Sequence, residues 1–254
     1  MRDPLELLNS IWRMIFPGQQ LDLSISEFEA AYCADLPLPL FTNSLWNTSA
    51  IAVSKPYGHA VSQSELEERS EELQDTPGAS GMPLPELLNR AFGNLVFSGD
   101  NHYNCEAVLR SDNIFKSREV YGSRSIHDSQ KVIFSANSIG LDSAAACDSS
   151  GYSQFVIRAI DSINCSRCLD IYQSGRCSGC LFVSNCYDVH DCILCTNLRS
   201  KRFCIGNMQF SEEEYRDLRP QIEAALVFNG FNPMYKLAGA AVVDNHRGLD
   251  EGAV

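Results

Sequence analysis

The sequence predicts an all-β fold, a narrow parallel β-helix of about 12 residues per coil with flanking α-helices. Two observations carry this. First, residues 99–206 count in sixes without an insertion or deletion. Serines fall at Ser111, Ser117, Ser123, Ser129 and Ser135, and Ile114, Val120, Ile126 and Val132 fall three residues after the first four. A period this long means a solenoid, because each unit must stack on its neighbours to bury its apolar face. Second, reading every twelfth residue gives Val108, Val120, Val132, Ala144, Val156, Cys168, Cys180, Cys192 and Cys204, apolar or thiol throughout. Reading every eighteenth mixes Val120 and Val156 with Ser138 and Ser174. About nine coils result, a rod roughly 43 Å long at ~4.8 Å per coil.

A coil this short is two strands and two tight corners, with an inward residue at every third position. The inward volume stays small: Ile or Val with Ser in the early coils, Cys in the later ones. Cys behaves as a small hydrophobe with a weak S–H donor. The buried hydroxyls need partners, for which corner carbonyls are the candidates. This geometry resembles the thin, cysteine-bearing β-helix of insect antifreeze proteins. The outward Thr-x-Thr ranks of their ice face are missing, so ice binding is not carried over.

Next to the inward column runs a second apolar column: Leu109, Tyr121, Ile133, Ala145, Ile157, Leu169, Leu181, Ile193 and Ile205. Consecutive strand residues point to opposite faces, so both columns cannot lie inside. One forms an outer apolar stripe, and an exposed stripe of that length marks an interaction site. Two readings stand. Either the chain's own terminal helices cover it, or it docks another subunit through Tyr121, Ile133, Ile157, Leu169, Leu181 and Ile193.

The flanks read as helices and linkers. Residues 1–93 form a helical and extended region. Asp3 and Pro4 open a helix that runs to Phe16 and is stopped by Pro17 and Gly18. Ser26 is a cap for a helix through Phe28 to Tyr32, and residues 36–39 run extended. Ser64 caps an acidic helix over 65–74, and residues 76–81 are a linker. A helix over 83–92 leads into the solenoid, assigned to 94–206, and is placed to close its open end. Ser211 with Glu214 forms a capping box for a helix within 207–226. Residues 227–254 read as an extended arm of the kind that orders on a neighbouring subunit.

Eleven cysteines is an odd number. The first sixteen residues are interrupted by Asp3, Glu6 and Arg13 and show no signal-peptide pattern, and no apolar run reaches transmembrane length. A reducing compartment follows, which argues against disulfides. Cys165-x2-Cys168 with Cys177-x2-Cys180 has the spacing of a four-thiolate zinc site. The solenoid grid explains the same spacing, so the primary reading is core filling, with no metal or cofactor. Zinc at Cys165, Cys168, Cys177 and Cys180 is the alternative, and a disulfide such as Cys180–Cys186 is a third. His102, His127 and His190 form no ligand cluster. The net charge is −12, and residues 99–206 carry eleven acidic and eleven basic side chains, so the flanks hold all the excess. An acidic chain without a basic stripe argues against nucleic acid. A solenoid without insertions has no loops to build a cleft, and Asp188 and Asp191 are not an opposed pair. No phosphate loop, nucleophile elbow or histidine site appears. The expectation is a non-enzyme with no catalytic residues.

Asn185-Cys186-Tyr187-Asp188 and the run from Asn197 through Arg199, Cys204, Ile205, Asn207 and Gln209 to Ser211, Glu213, Glu214 and Tyr215 resemble the closing units of an uncharacterised cysteine-rich hexad-repeat family. That family occurs in large phages and candidate-phylum bacteria. Residues 25–29 with Leu36-Pro37-Leu38-Pro39 are similar to its N-terminal segment. There a Cys-Pro-x-Cys zinc knuckle follows, whereas here residues 40–43 are Leu-Phe-Thr-Asn, so that zinc site is not carried over. The resemblance implies a repeat fold and a phage or bacterial setting, and no chemistry. The resulting expectation is a structural protein, a phage head-decoration or tail and baseplate component, in the virion or the host cytoplasm. Its partners would be further copies of itself and other structural proteins, without nucleic acid or membrane. A zinc-binding module and a glycan-binding β-helix are the alternatives.

Overall fold

The architecture follows from how a twelve-residue coil closes. The computed structural model describes residues 3–69, 81–93, 95–148, 154–160, 166–172, 175 and 177–225. Every parallel strand pair from β5 (His102–Tyr103) to β18 (Arg202–Ile205) is offset by twelve residues, as in Val108↔Val120, Val132↔Ala144 and Cys192↔Cys204. The chain is thus a narrow parallel β-solenoid of short strands with flanking helices. Inward side chains fall every third residue, and Ile114, Val120, Ile126, Val132, Ala144 and Val156 are fully buried along its axis.

A backbone feature makes so tight a coil possible. Through most of the rod every third residue has a positive φ: Ala107 at 55°, Arg110 at 51°, Asn113 at 62°, Lys116 at 45°, Glu119 at 55° and so onward to Phe203 at 55°. A left-handed residue at that rhythm turns the chain just before each inward position, as Asn113 does before Ile114 and Glu119 before Val120. The conformation costs on the order of 1 kcal/mol at each non-glycine site. The stack offsets it, because these amides donate into the coil below. Phe134 N bonds Tyr121 O at 3.0 Å, Ala146 N bonds Ile133 O at 3.1 Å, and Arg158 N bonds Ala145 O at 2.8 Å.

The corner serines complete the hydrogen bonding, as expected of buried hydroxyls. Each donates to the carbonyl two residues back and accepts an amide from the coil above. Ser123 Oγ donates to Tyr121 O at 2.9 Å and accepts Ser135 N at 3.0 Å. Ser111, Ser117, Ser129 and Ser135 accept from Ser123, Ser129, Leu141 and Cys147 in the same way.

Helices cover one side of the rod. Helix α1 (Pro4–Ile15) places Leu7, Leu8, Ile11, Trp12 and Ile15 along one buried face. It lies on β10 (Gln130–Ile133), β12 (Ala144–Ala145) and β13 (Val156–Ile157). Helix α2 (Ile25–Tyr32) adds Phe28 and Tyr32, with Phe28 stacked 6.3 Å from Phe134. Its cap is Ser24 in a capping box with Glu27, two residues earlier than the Ser26 start. Arg158, only 4 % exposed, ties this layer down. Its guanidinium donates to Tyr32 O and to both oxygens of Asp35, with Asp170 at 3.7 Å.

At the N-terminal end, β1 (Leu40–Asn43) and β2 (Ala50–Val53) form an antiparallel hairpin. There β3 (Ala60–Ser62) pairs with β4 (Phe97–Gly99). The twelve-residue register therefore begins at β5 and not at 94. Asp112, 2 % exposed, holds this end together: one carboxylate oxygen accepts the Ser54 amide and hydroxyl, the other the Asn101 amide and side chain. Helix α3 (Gln63–Glu68) is capped by Ser62 with Glu65, again two residues before the expected Ser64. Helix α4 (Leu84–Gly93) stands where expected but buries no side chain, so it does not close the rod. At the far end β18 turns back into an antiparallel β19 (Met208–Gln209), and α5 (Glu212–Glu223) starts from the expected Ser211–Glu214 capping box. The expected arm at 227–254 lies outside the described residues.

Candidate docking end of the rod

The outer stripe exists, and the chain itself covers it. Ile133, Ile157, Leu169, Leu181 and Ile193 are fully buried, and Tyr121 is partly buried against the same cluster. That cluster joins them to Leu7, Leu8, Ile11 and Trp12 of α1, Phe28 and Tyr32 of α2, and Tyr215 of α5. These six residues therefore form an intramolecular core and not a docking surface, and the second of the two readings is overturned. The physical reason is that the apolar face of amphipathic α1 needs a partner and finds it on β10, β12 and β13, with α2 and Tyr215 of α5 joining the same cluster.

The cysteines point inward. Cys168, Cys180, Cys192 and Cys195 are fully buried, and Cys177, Cys186 and Cys204 are each 2 % exposed. Each thiol from Cys180 to Cys195 donates to the carbonyl two residues back, at 3.2–3.3 Å, repeating the serine geometry. A hydrogen bond shared with the Cys180 thiol, together with burial, pushes Cys192 up to about 12. The Cys177 thiol and burial push Cys180 upward too, and burial raises Cys186 and Cys204. As free side chains, such thiols resist ionisation. Of the alternative zinc set, Cys165 lies outside the described residues. Cys168, Cys177 and Cys180 belong to the inward columns, and among the described residues no group of three or more His, Cys, Asp or Glu side chains is placed to hold a metal.

Half a coil from the stripe is an open face. Tyr103, Phe115 and His127 stack there with centroids 4.7 Å apart at each step and planes within 18° and 7°. Their ring faces are turned on one another. Stacked rings of this kind add to the cohesion between coils.

Exposed apolar side chains gather at the N-terminal end. Eleven of the fourteen large ones among the described residues lie between Leu40 and Leu109. Helix α4 contributes a complete apolar face: Leu84, Leu87, Leu88 and Phe92, at i, i+3, i+4 and i+8, are 45–65 % exposed. Below the first coil, Ser62, Gln63, Glu67, Asp100 and His102 face Val108, Leu109 and Arg110 across a groove of about 450 Å³. Burial raises the Asp100 carboxyl, whose Oδ1 accepts the Ala52 amide. The uniform apolar grid hid this end from sequence reasoning. Its signal was the i, i+3, i+4, i+8 pattern of α4 in a segment already assigned to capping.

No helix among the described residues is long and apolar enough to cross a membrane. Comparison with protein-family models, curated proteins and solved structures finds no match for this chain.

Proposed function

We propose that this chain is a non-enzymatic structural protein that docks into an assembly through the N-terminal end of its rod. The observation that carries this reading is the apolar concentration there, with an amphipathic α4 that buries none of its side chains. In sum the eleven side chains expose on the order of 1,000 Å², comparable with the ~800 Å² that each partner buries in a standard interface. Among the described residues, the inward serines from Ser111 to Ser135 and the thiols from Cys180 to Cys195 are hydrogen-bonded within the rod, which supplies rigidity. The phage setting, as a head-decoration or tail and baseplate part, is what the family resemblance implies, and partner copies or other structural proteins are the expected neighbours. The test is the native mass of the reduced protein beside a variant carrying Leu87→Asp, Leu88→Asp and Phe92→Asp. An oligomer in the parent that becomes a folded monomer in the variant supports docking through α4. The same monomeric mass for both removes self-assembly through this end.

A further inference from the structure

The edge of the first coil is an unfilled strand position. Strand β6 (Glu106–Leu109) pairs with β8 (Arg118–Tyr121) on one side, and it is the last strand of its sheet, with no described strand on the other side. Along the rod the amides of Gly122, Phe134, Ala146, Arg158, Asp170 and Phe182 each donate to the carbonyl thirteen residues back. Among the described residues Arg110 N makes no such bond, because Phe97, thirteen back, lies in β4, which pairs with β3 instead. The side chains show the same vacancy. Val108 and Cys105 are only partly buried, whereas Val120 and Ser117, one coil above, are 0 % and 3 % exposed. Leu109 is 50 % exposed, whereas Ile133 further along its column is fully buried. Unpaired edges of this kind accept strands.

We infer that an extended segment of another protein of the assembly adds to β6 as a parallel strand, with a lysine or arginine facing Glu106. Such a strand presupposes docking through the N-terminal end and gives that docking its chemistry. Charge selects a cationic segment. Glu106 is exposed on β6, and Glu67 and Asp100 line the groove beside it. Their counterpart there, Arg110, already holds its guanidinium 4.5 Å from the centre of the Phe41 ring. Glu106 stands in register with Arg118 of the coil above, so a second cation below it continues the alternation of charge. The groove is about 450 Å³ and is bounded on its far side by Ser62, Gln63 and Glu67, so it takes a single extended chain and not the packed first coil of a second rod.

The rod fixes the rest of the segment. Ala107, Glu119 and Lys131 stand one above another at φ of 55°, 55° and 51°. The residue below them takes the same left-handed turn, which glycine does without steric cost. The residue under Val108 points inward, so it is small and apolar. The residue under Leu109 extends the stripe, whose buried members include Ile133, Ile157 and Leu181, so it is a larger aliphatic side chain. Its carbonyl accepts Arg110 N, as Leu109 O accepts Gly122 N at 3.1 Å. The pattern is a cation, a glycine, a small apolar residue and a large one.

The test is amide hydrogen exchange of the full chain, read on the fragment covering residues 105–110, with blocked synthetic peptides added at millimolar concentration. The probes are Ser-Lys-Gly-Val-Leu-Ser, the same peptide with Glu for Lys, and the same peptide with Val for Gly. The expected result is slowed exchange with the first, exceeding the effect of the Glu peptide by about threefold, and no slowing with the Val peptide. In Glu106→Lys the preference between the Lys and Glu peptides inverts. Absence of any slowing by the first peptide overturns the inference, as does equal slowing by the Val peptide or a preference that Glu106→Lys leaves unchanged. Protection that the parent shows alone and loses on dilution also overturns it, because a second copy then fills the edge. Glu106 is exposed, so unchanged exchange at Ser135 serves as the check on folding. Docking through this end is read separately, as the native mass of the α4 variant, so the failure of one is told from the failure of the other.

Discussion

Replacing Ser123 by alanine isolates the hydrogen-bond ladder from the volume of the core. Ser123 is fully buried, and its hydroxyl both donates to Tyr121 O and accepts the amide of Ser135. Alanine removes one small atom, so the cavity is minor. What it leaves is a buried Ser135 N–H and a buried carbonyl each short of one partner. An orphaned buried polar group costs roughly 1–3 kcal/mol, and about 2 kcal/mol is the central expectation for Ser123→Ala. For a chain of this length that lowers Tm by roughly 4–8 °C. Ser123→Cys should cost less, because the thiols of Cys180 and Cys195 make the same bond two residues back, at 3.3 and 3.2 Å. The assay is thermal unfolding followed by circular dichroism under reducing conditions, with hydrogen exchange at Ser135 as the local readout. The reasoning fails if Ser123→Ala melts within about a degree of the parent and the Ser135 amide keeps its protection. The hydroxyl column would then be space filling and nothing more.

Ile157→Asp puts a carboxylate between the rod and α1, where nothing pairs with it. The expected outcome is unfolding, or release of the helical layer, at a cost above about 4 kcal/mol. It is seen as exposure of Trp12 in fluorescence, and a folded variant with Trp12 still buried would contradict the assigned core. Arg158 holds the Asp35 carboxyl below its ordinary value, chiefly through their hydrogen bonds. A depressed folded value means this contribution is present above the unfolded value of about 3.9 and lost as pH falls through the lowered one. Asp35→Asn should therefore flatten the acid limb of the stability curve below about pH 4, and an unchanged limb would place the acid sensitivity elsewhere. The raised inward thiols have the opposite sign. Their contribution is whole below the unfolded thiol value of about 8.5 and declines as pH rises toward the value of about 12 held by Cys192. Native protein at pH 8 should modify at the partly buried Cys105 first, with Cys180, Cys192 and Cys195 reacting only after denaturation. Rapid labelling of those three in the native state would argue for an open coil.

The coil length, inward columns and corner serines were all legible in the sequence because they obey one strict period. The helix starts were less so, for a specific reason. Ser24 and Ser26 each have a glutamate three residues on, as do Ser62 and Ser64, so two capping registers compete in both places. In the second case Glu65 also accepts the Ser44 hydroxyl at 2.7–2.9 Å, a contact twenty-one residues away that local pattern cannot show. The stripe was ambiguous because an apolar column states that it needs a cover without saying whose. The left-handed column had a signal that periodicity alone passes over. From 104 to 206, no Val, Ile or Thr falls at this third position, although the two neighbouring columns are rich in them. β-branched side chains fit poorly at positive φ, so the composition of the column follows from its backbone. The same restriction sets what can extend the rod.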